Sequence, residues 1–236
     1  MCSTSTREMC VARIRQAAAA GAAVLLLAGC SRGATTATAS QPDPSSLLTQ
    51  ATTNAKAADS VHIRGTGECP QGPFVVDMNL LKDQSAAGSV TFSGVTINVV
   101  ATQNELLLHA PQKFWATQSS PKVAAKIGQK WLRITRTTNP CIDALTSLSN
   151  VTANYFGYTG SPVLQKGSSF NGTPATQVGI GTDVAFWIQT RGTLLPINVH
   201  DSSTSTDIAM TQWNTDLKVV VPPSTEILDA AVANKA

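Results

Sequence analysis

Phe74-Val75-Val76-Asp77-Met78-Asn79-Leu80 decides how this chain folds. Its large apolar side chains fall at every second position, so a strand here puts Phe74, Val76, Met78 and Leu80 on one buried face and polar groups on the other. The same two-residue period runs through Val61-His62-Ile63-Arg64, Val90-Thr91-Phe92 and Val95-Thr96-Ile97-Asn98-Val99, and Leu106 to His109 continues it. Between these runs stand Lys82-Asp83-Gln84, Ser93-Gly94 and Gln103-Asn104, breaks short enough for hairpins. An antiparallel meander follows.

Working outward, Pro121 to Gly128 reads as a short helix, Trp131 to Thr135 as a strand and Asn139 to Leu148 as a helix capped by Asn139. Alternation returns in Pro162-Val163-Leu164 and Ala175 to Ile180, which flank the hairpin signal Asn171-Gly172. Val184 to Gln189, Leu195 to His200 and Asp207 to Trp213 read as further strands, and Ser224 to Val232 as a last short helix. Ahead of the meander, a helix starting at Ser45 or Ser46 carries Leu47, Leu48, Ala51, Ala55 and Ala58 as one apolar stripe. About ten antiparallel strands in one sheet must curl. The expected fold is therefore α+β, a curved antiparallel half-barrel sheet with helices on its concave face.

The apolar run Ala17 to Gly29 follows the basic segment Met9 to Arg15, a second candidate for the start of translation. About 13 residues are too few to cross a ~30 Å hydrocarbon core, so the run reads as a secretory signal. It closes on Leu27-Ala28-Gly29-Cys30, which resembles the bacterial lipobox. That resemblance implies cleavage before Cys30, lipid attachment at its thiol and a membrane tether on the extracytoplasmic side. Residues 1–29 are then the signal, 30–44 a lipidated N-terminus and flexible tether rich in Thr, Ser and Pro, and 45–236 the folded domain. Without Arg7, Glu8, Arg13 and Arg15, 14 basic face 13 acidic residues. So neutral a chain has no footprint for nucleic acid.

Of five cysteines, Cys2 and Cys10 leave with that signal and Cys30 is acylated, so Cys69 and Cys141 remain as a pair in an oxidising compartment. A structural disulfide is expected, closing a loop of about seventy residues and stabilising the fold by roughly 4 kcal/mol in the chain-entropy model. The competing reading is redox chemistry, because Asn139-Pro140 places Cys141 at a helix start. A catalytic dithiol usually has its partner two residues away, which Cys69 is not.

The order of elements carries a family resemblance. A lipobox, a Thr/Ser/Pro tether, Ser45-Ser46-Leu47-Leu48 with Ala51 and Ala55, then Ser60-Val61-His62-Ile63 open the pattern. Lys113-Phe114-Trp115-Ala116, Gln129-Lys130-Trp131-Leu132, Phe186-Trp187-Ile188 and Ile208 to Asn214 continue it. Together they resemble the actinobacterial lipoproteins grouped under the mycobacterial LppX/LprAFG name, over about residues 45 to 220. The resemblance implies an apolar cavity between the concave sheet face and the helices that holds long-chain lipid or acylated glycolipid, and a role in moving lipids through the cell envelope. The lining expected on this reading is Leu47, Leu48, Ala51, Phe74, Val76, Met78, Leu80, Val95, Ile97, Val99, Leu106 and Leu108. The expected partners are the lipid, the plasma membrane through the anchor and an envelope transporter; the domain is expected to be a monomer.

No cofactor, metal site or catalytic residue is expected. His62, His109 and His200 lie in strands without a second metal-type residue at useful spacing, and no G-x-S-x-G elbow occurs. Gly65-Thr66-Gly67 and Gly179-Ile180-Gly181 read as bulge or turn glycines between strands rather than phosphate loops. The sequons at Asn150 and Asn171 are read as chance. A surface lipoprotein with a filled interior, acting as an assembly or docking partner, is the alternative function, and a hydrolase a distant third.

Overall fold

The computed structural model describes residues 42–165 and 167–235. The expected signal 1–29, the expected lipidation position Cys30 and nearly all of the expected tether lie outside the described residues. Six strands follow from the first meander: β1 Ser60–Cys69, β2 Gly72–Leu81, β3 Ala86–Phe92, β4 Val95–Ala101, β5 Glu105–His109 and β6 Trp131–Thr135. Seven more complete the sheet: β7 Pro162–Gln165, β8 Ser169–Phe170, β9 Thr173–Ile180, β10 Val184–Gln189, β11 Pro196–Asp201, β12 Thr206–Thr211 and β13 Ile227–Asp229. Their spatial order is β13-β6-β5-β4-β3-β2-β1-β12-β11-β10-β9-β7, with β8 paired to β9. The pairing of β12 with β1, Ile63 opposite Met210, welds the two meanders into one open, curved sheet. Every pairing is antiparallel except that of β13 with β6. This is the half-barrel the alternation predicts.

The concave face carries Val61 and Ile63 of β1, Phe74, Val76, Met78 and Leu80 of β2, Ile97 and Val99 of β4, Leu106 and Leu108 of β5, and Phe186, Ile208 and Met210 from the far wing, all buried in one cluster. At roughly 1.5–3 kcal/mol for each large side chain removed from water, this face is the main source of stability. Covering it are α1 Pro44–Ala57, α2 Gln112–Gln118, α3 Pro121–Ile127, α4 Pro140–Ala144, α5 Leu148–Phe156 and α6 Ala230–Ala233. α1 buries Leu47, Ala51 and Ala55 and meets α5, β7 and β11.

Several local expectations are corrected. α1 is capped two to three residues earlier than expected: the Asp43 carboxylate accepts from the Ser46 amide at 2.7 Å and Pro44 takes the first turn, where its missing N–H costs nothing. Hydrogen bonding from the Ser46 side chain, and then from its amide, lowers the Asp43 pKa. The helix expected over Asn139 to Leu148 stops at Ala144, where Thr146 bonds back to the Asp143 carbonyl at 3.1 Å, and an unexpected further helix, α5, runs from Leu148 to Phe156, capped by Ser147 at the Asn150 amide, 3.3 Å away. The tail folds as a 3-10 turn over Ser224–Glu226, then β13, then α6. Gly65 and Gly67 lie inside β1, not between strands. A Cβ on Gly65 would overlap the Asp207 carbonyl and stand 2.7 Å from Ile208 Cα, so glycine lets β12 approach there. The hairpin glycines behave as expected: Ser93-Gly94 and Asn171-Gly172 all have positive φ, as a tight two-residue turn requires.

Candidate functional site

Two apolar pockets lie on the concave face. The first, about 250 Å³, has Ile97, Leu108, Leu132 and Ile134 of β4 to β6 as its floor. Phe114 and Trp115 of α2, Val123 and Ile127 of α3, Ile142 of α4 and Ala233 of α6 form its walls. Its helices are placed by local chemistry. Ser120 caps α3 by accepting from the Val123 amide at 3.2 Å, Gly128 ends it at φ 57°, and the Lys126 ammonium donates to the Val232 carbonyl at 2.6 Å, tying α3 to α6. α2 has no side-chain cap; what positions it is Trp115, buried in the core, with Phe114 packed against the same core and edge to face with Trp115 at 5.1 Å. The Trp115 indole N–H is buried and has no hydrogen-bond acceptor among the described residues. Such an unmatched donor costs roughly 1–3 kcal/mol.

The second pocket, about 350 Å³, opens where β1, β2 and β12 end beneath α4 and α5. Phe74, Ala144, Leu145 and Tyr155 line it together with the Cys69–Cys141 disulfide, whose Cα atoms are 6.1 Å apart. The bond fastens the end of β1 to α4, as the pairing of the two remaining cysteines predicts. The polar rim of this pocket is Asp201, buried, which accepts from the Tyr158 hydroxyl at 2.8 Å and from the Ser203 amide and hydroxyl at 2.9 and 2.6 Å. Burial acts to raise the Asp201 pKa, but the donations from Ser203 and Tyr158 outweigh it and hold the carboxyl below its ordinary value. Burial pushes Tyr155 up to about 12 and also raises Tyr158, whose bond to Asp201 adds to the effect.

Between the pockets, Arg136 donates all five of its N–H groups. Nε serves the Asp143 carboxylate, Nη1 the Gln84 and Thr102 carbonyls at 3.1 and 2.7 Å, and Nη2 the Thr146 carbonyl and hydroxyl at 3.2 and 3.0 Å. With every donor matched, the guanidinium has none left for a ligand. It is a structural clamp joining the β2–β3 and β4–β5 turns to α4.

The expected lining residues distribute between pockets and solid core. Ile97 and Leu108 line the first pocket and Phe74 the second. Leu47, Ala51, Val76, Met78, Leu80, Val99 and Leu106 sit in the packed cluster, Leu48 packs half-buried against it, and Val95 is half-buried beside the β3–β4 turn. Sequence reasoning missed Phe114, Trp115, Val123, Ile127 and Ile142 as lining. The only signal for α2 was the apolar pair Phe114-Trp115 between two prolines, too short to show a helical period.

The histidines make strand contacts. His62 bonds to Asn79 across β1 and β2 at 2.8 Å, His109 lies 5.3 Å from the Trp131 ring, and His200 faces Asp207 at 3.9 Å. Among the described residues no group of three or more His, Cys, Asp or Glu side chains is arranged to hold a metal ion. No described helix is long and apolar enough to cross a membrane.

No protein-family model matches the chain, and no curated protein matches it in sequence. Among solved structures it is similar to LprF from Mycobacterium bovis, with a TM-score of 0.53 and 13% identity over 78% of this chain and 100% of that one. At that identity the likeness is one of fold: the chain has an LprF-like fold.

Proposed function

We propose that this chain is a membrane-anchored lipoprotein that binds long-chain lipid or acylated glycolipid and carries it through the cell envelope. The observation that carries the reading is the pair of apolar pockets held between the concave sheet face and the helices of an LprF-like fold. Leu27 to Cys30 supplies the anchor, and the sequence resemblance to the LppX/LprAFG lipoproteins supplies the ligand class. Exposing a chain of about sixteen carbons to water costs on the order of 12 kcal/mol at ~0.8 kcal/mol per methylene, so unaided movement between membranes is slow. A pocket that shields the chain removes most of that barrier.

The test is organic extraction and mass spectrometry of the full chain carrying Cys30→Ala, purified without detergent, followed by transfer of acyl lipid between donor and acceptor vesicles. Bound acyl lipid and transfer faster than spontaneous exchange are expected. Neither lipid nor transfer, in a folded protein, would move the assignment to the docking lipoprotein. In the parent chain, detergent-phase partitioning and an acyl mass on the Cys30 peptide are expected, both lost in Cys30→Ala.

A further inference from the structure

We infer that α4 is a partition that limits how long an acyl chain the protein accepts, and that the Cys69–Cys141 disulfide holds the partition in place; this rests on the lipid-carrier reading above. The two pockets on the concave face share one wall. Asn139 and Ile142 face the first pocket, while Cys141, Ala144 and Leu145 face the second. At 3.6 residues per turn these two sets fall on opposite sides of the same turn of helix. α4 is only Pro140–Ala144, a single turn, so it has little rigidity of its own and stands where its attachments put it.

Those attachments are unequal. On one side Asp143 is clamped by Arg136, while the Asn139 side chain closes the helix's own first turn at the Ile142 amide, 3.1 Å away. On the side of the second pocket, the covalent link to Cys69 pulls α4 down to the end of β1. Removing that link leaves the Arg136–Asp143 clamp as a pivot and frees the opposite edge of the helix. The pockets, about 250 and 350 Å³, then join into one cavity of about 600 Å³. The first alone is smaller than an ordinary ligand pocket of roughly 300–1,000 Å³; the joined cavity is well inside that range. The disulfide therefore acts as a gauge of acyl length.

The experiment uses the full chain carrying Cys30→Ala, incubated with phosphatidylcholine vesicles containing 1-monoacylglycerols of graded chain length. Retained lipid is read by mass spectrometry and folding by circular dichroism. With the bond intact, retention is expected to fall sharply above a limiting length. In Cys69→Ser/Cys141→Ser the limit moves up by several carbons. Adding Ala144→Leu, which narrows the second pocket, moves it back toward the parent value, whereas Ala144→Leu in the disulfide-bonded chain leaves the limit where it was. Ile142→Ala thins the wall with the bond in place and also lengthens the limit, which keeps the inference testable if the double-serine chain does not fold. The same limit in the parent and in whichever of these wall variants fold overturns the partition and leaves the carrier reading standing. No acyl lipid retained by the folded parent overturns both.

Discussion

Two parts of the concave face are covered by helices in different ways. Under α1 most of the covering residues are small: besides Leu47, Ala51 and Ala55 are 1% and 0% exposed, and alanine lets a helix lie close on its neighbours. Above β4 to β6 the covering residues are large: Phe114 and Trp115 stand α2 away from the floor, and a cavity of about 250 Å³ is left beneath it. The difference teaches that side-chain size at the helix–sheet contact decides whether a curved sheet is filled or hollow. Equal burial on the sheet side does not distinguish the two, since Met78 and Ile97 are both out of water.

The contrast can be broken most severely at its seam. Arg136→Ala strips five hydrogen bonds and leaves Asp143 without its partner, so a loss of about 3–5 kcal/mol is expected by urea unfolding, with the hollow side loosening first in hydrogen exchange at α4. A paired test sharpens it. Ala51→Leu inserts bulk where α1 is already in contact and should cost about 1–3 kcal/mol. Ile97→Phe inserts bulk into the hollow and should cost less than about 1 kcal/mol while reducing retained acyl lipid. Equal costs at the two sites would erase the distinction. The smallest effect concerns pH. Because the folded Asp201 pKa lies below its ordinary value of 3.8, its contribution to stability is full above about pH 4 and is lost as pH falls through the folded value. Urea midpoints should fall with acid more steeply in the parent than in Asp201→Asn.

Sequence patterning was enough for the sheet and not enough for the hollow. A strand of six to ten residues with alternating polarity shows its period, so β2, β4 and β10 could be placed to within two residues at each end. β13 could not, because Ile227–Asp229 is too short to have a period and its parallel partner β6 is nearly a hundred residues away in the chain. The clamp at Arg136 was equally invisible, since its acceptors at Gln84, Thr102 and Thr146 are two turn carbonyls and a loop residue with no pattern of their own. Phe74, Val76 and Ile97 read alike in the sequence, as inward-facing apolar residues. Whether such a residue meets another side chain or empty space depends on the helix opposite, which patterning along its own strand does not record.

The parallel strand at the tail has a consequence outside the pockets. A sheet that never closes ends in rows of unpaired amides and carbonyls, and such a margin invites the same margin of another copy to add on, the first step toward fibrous self-association. β13 occupies the β6 margin with three residues, and Arg133 of β6 fixes it there through its bond to Asp229 at 3.0 Å. At the opposite margin β7 is only four residues long and begins with Pro162, which has no amide to offer. On the proposed lipid-anchored reading, chains crowded at a membrane surface would meet their copies often, and this fold leaves them little margin on which to stack.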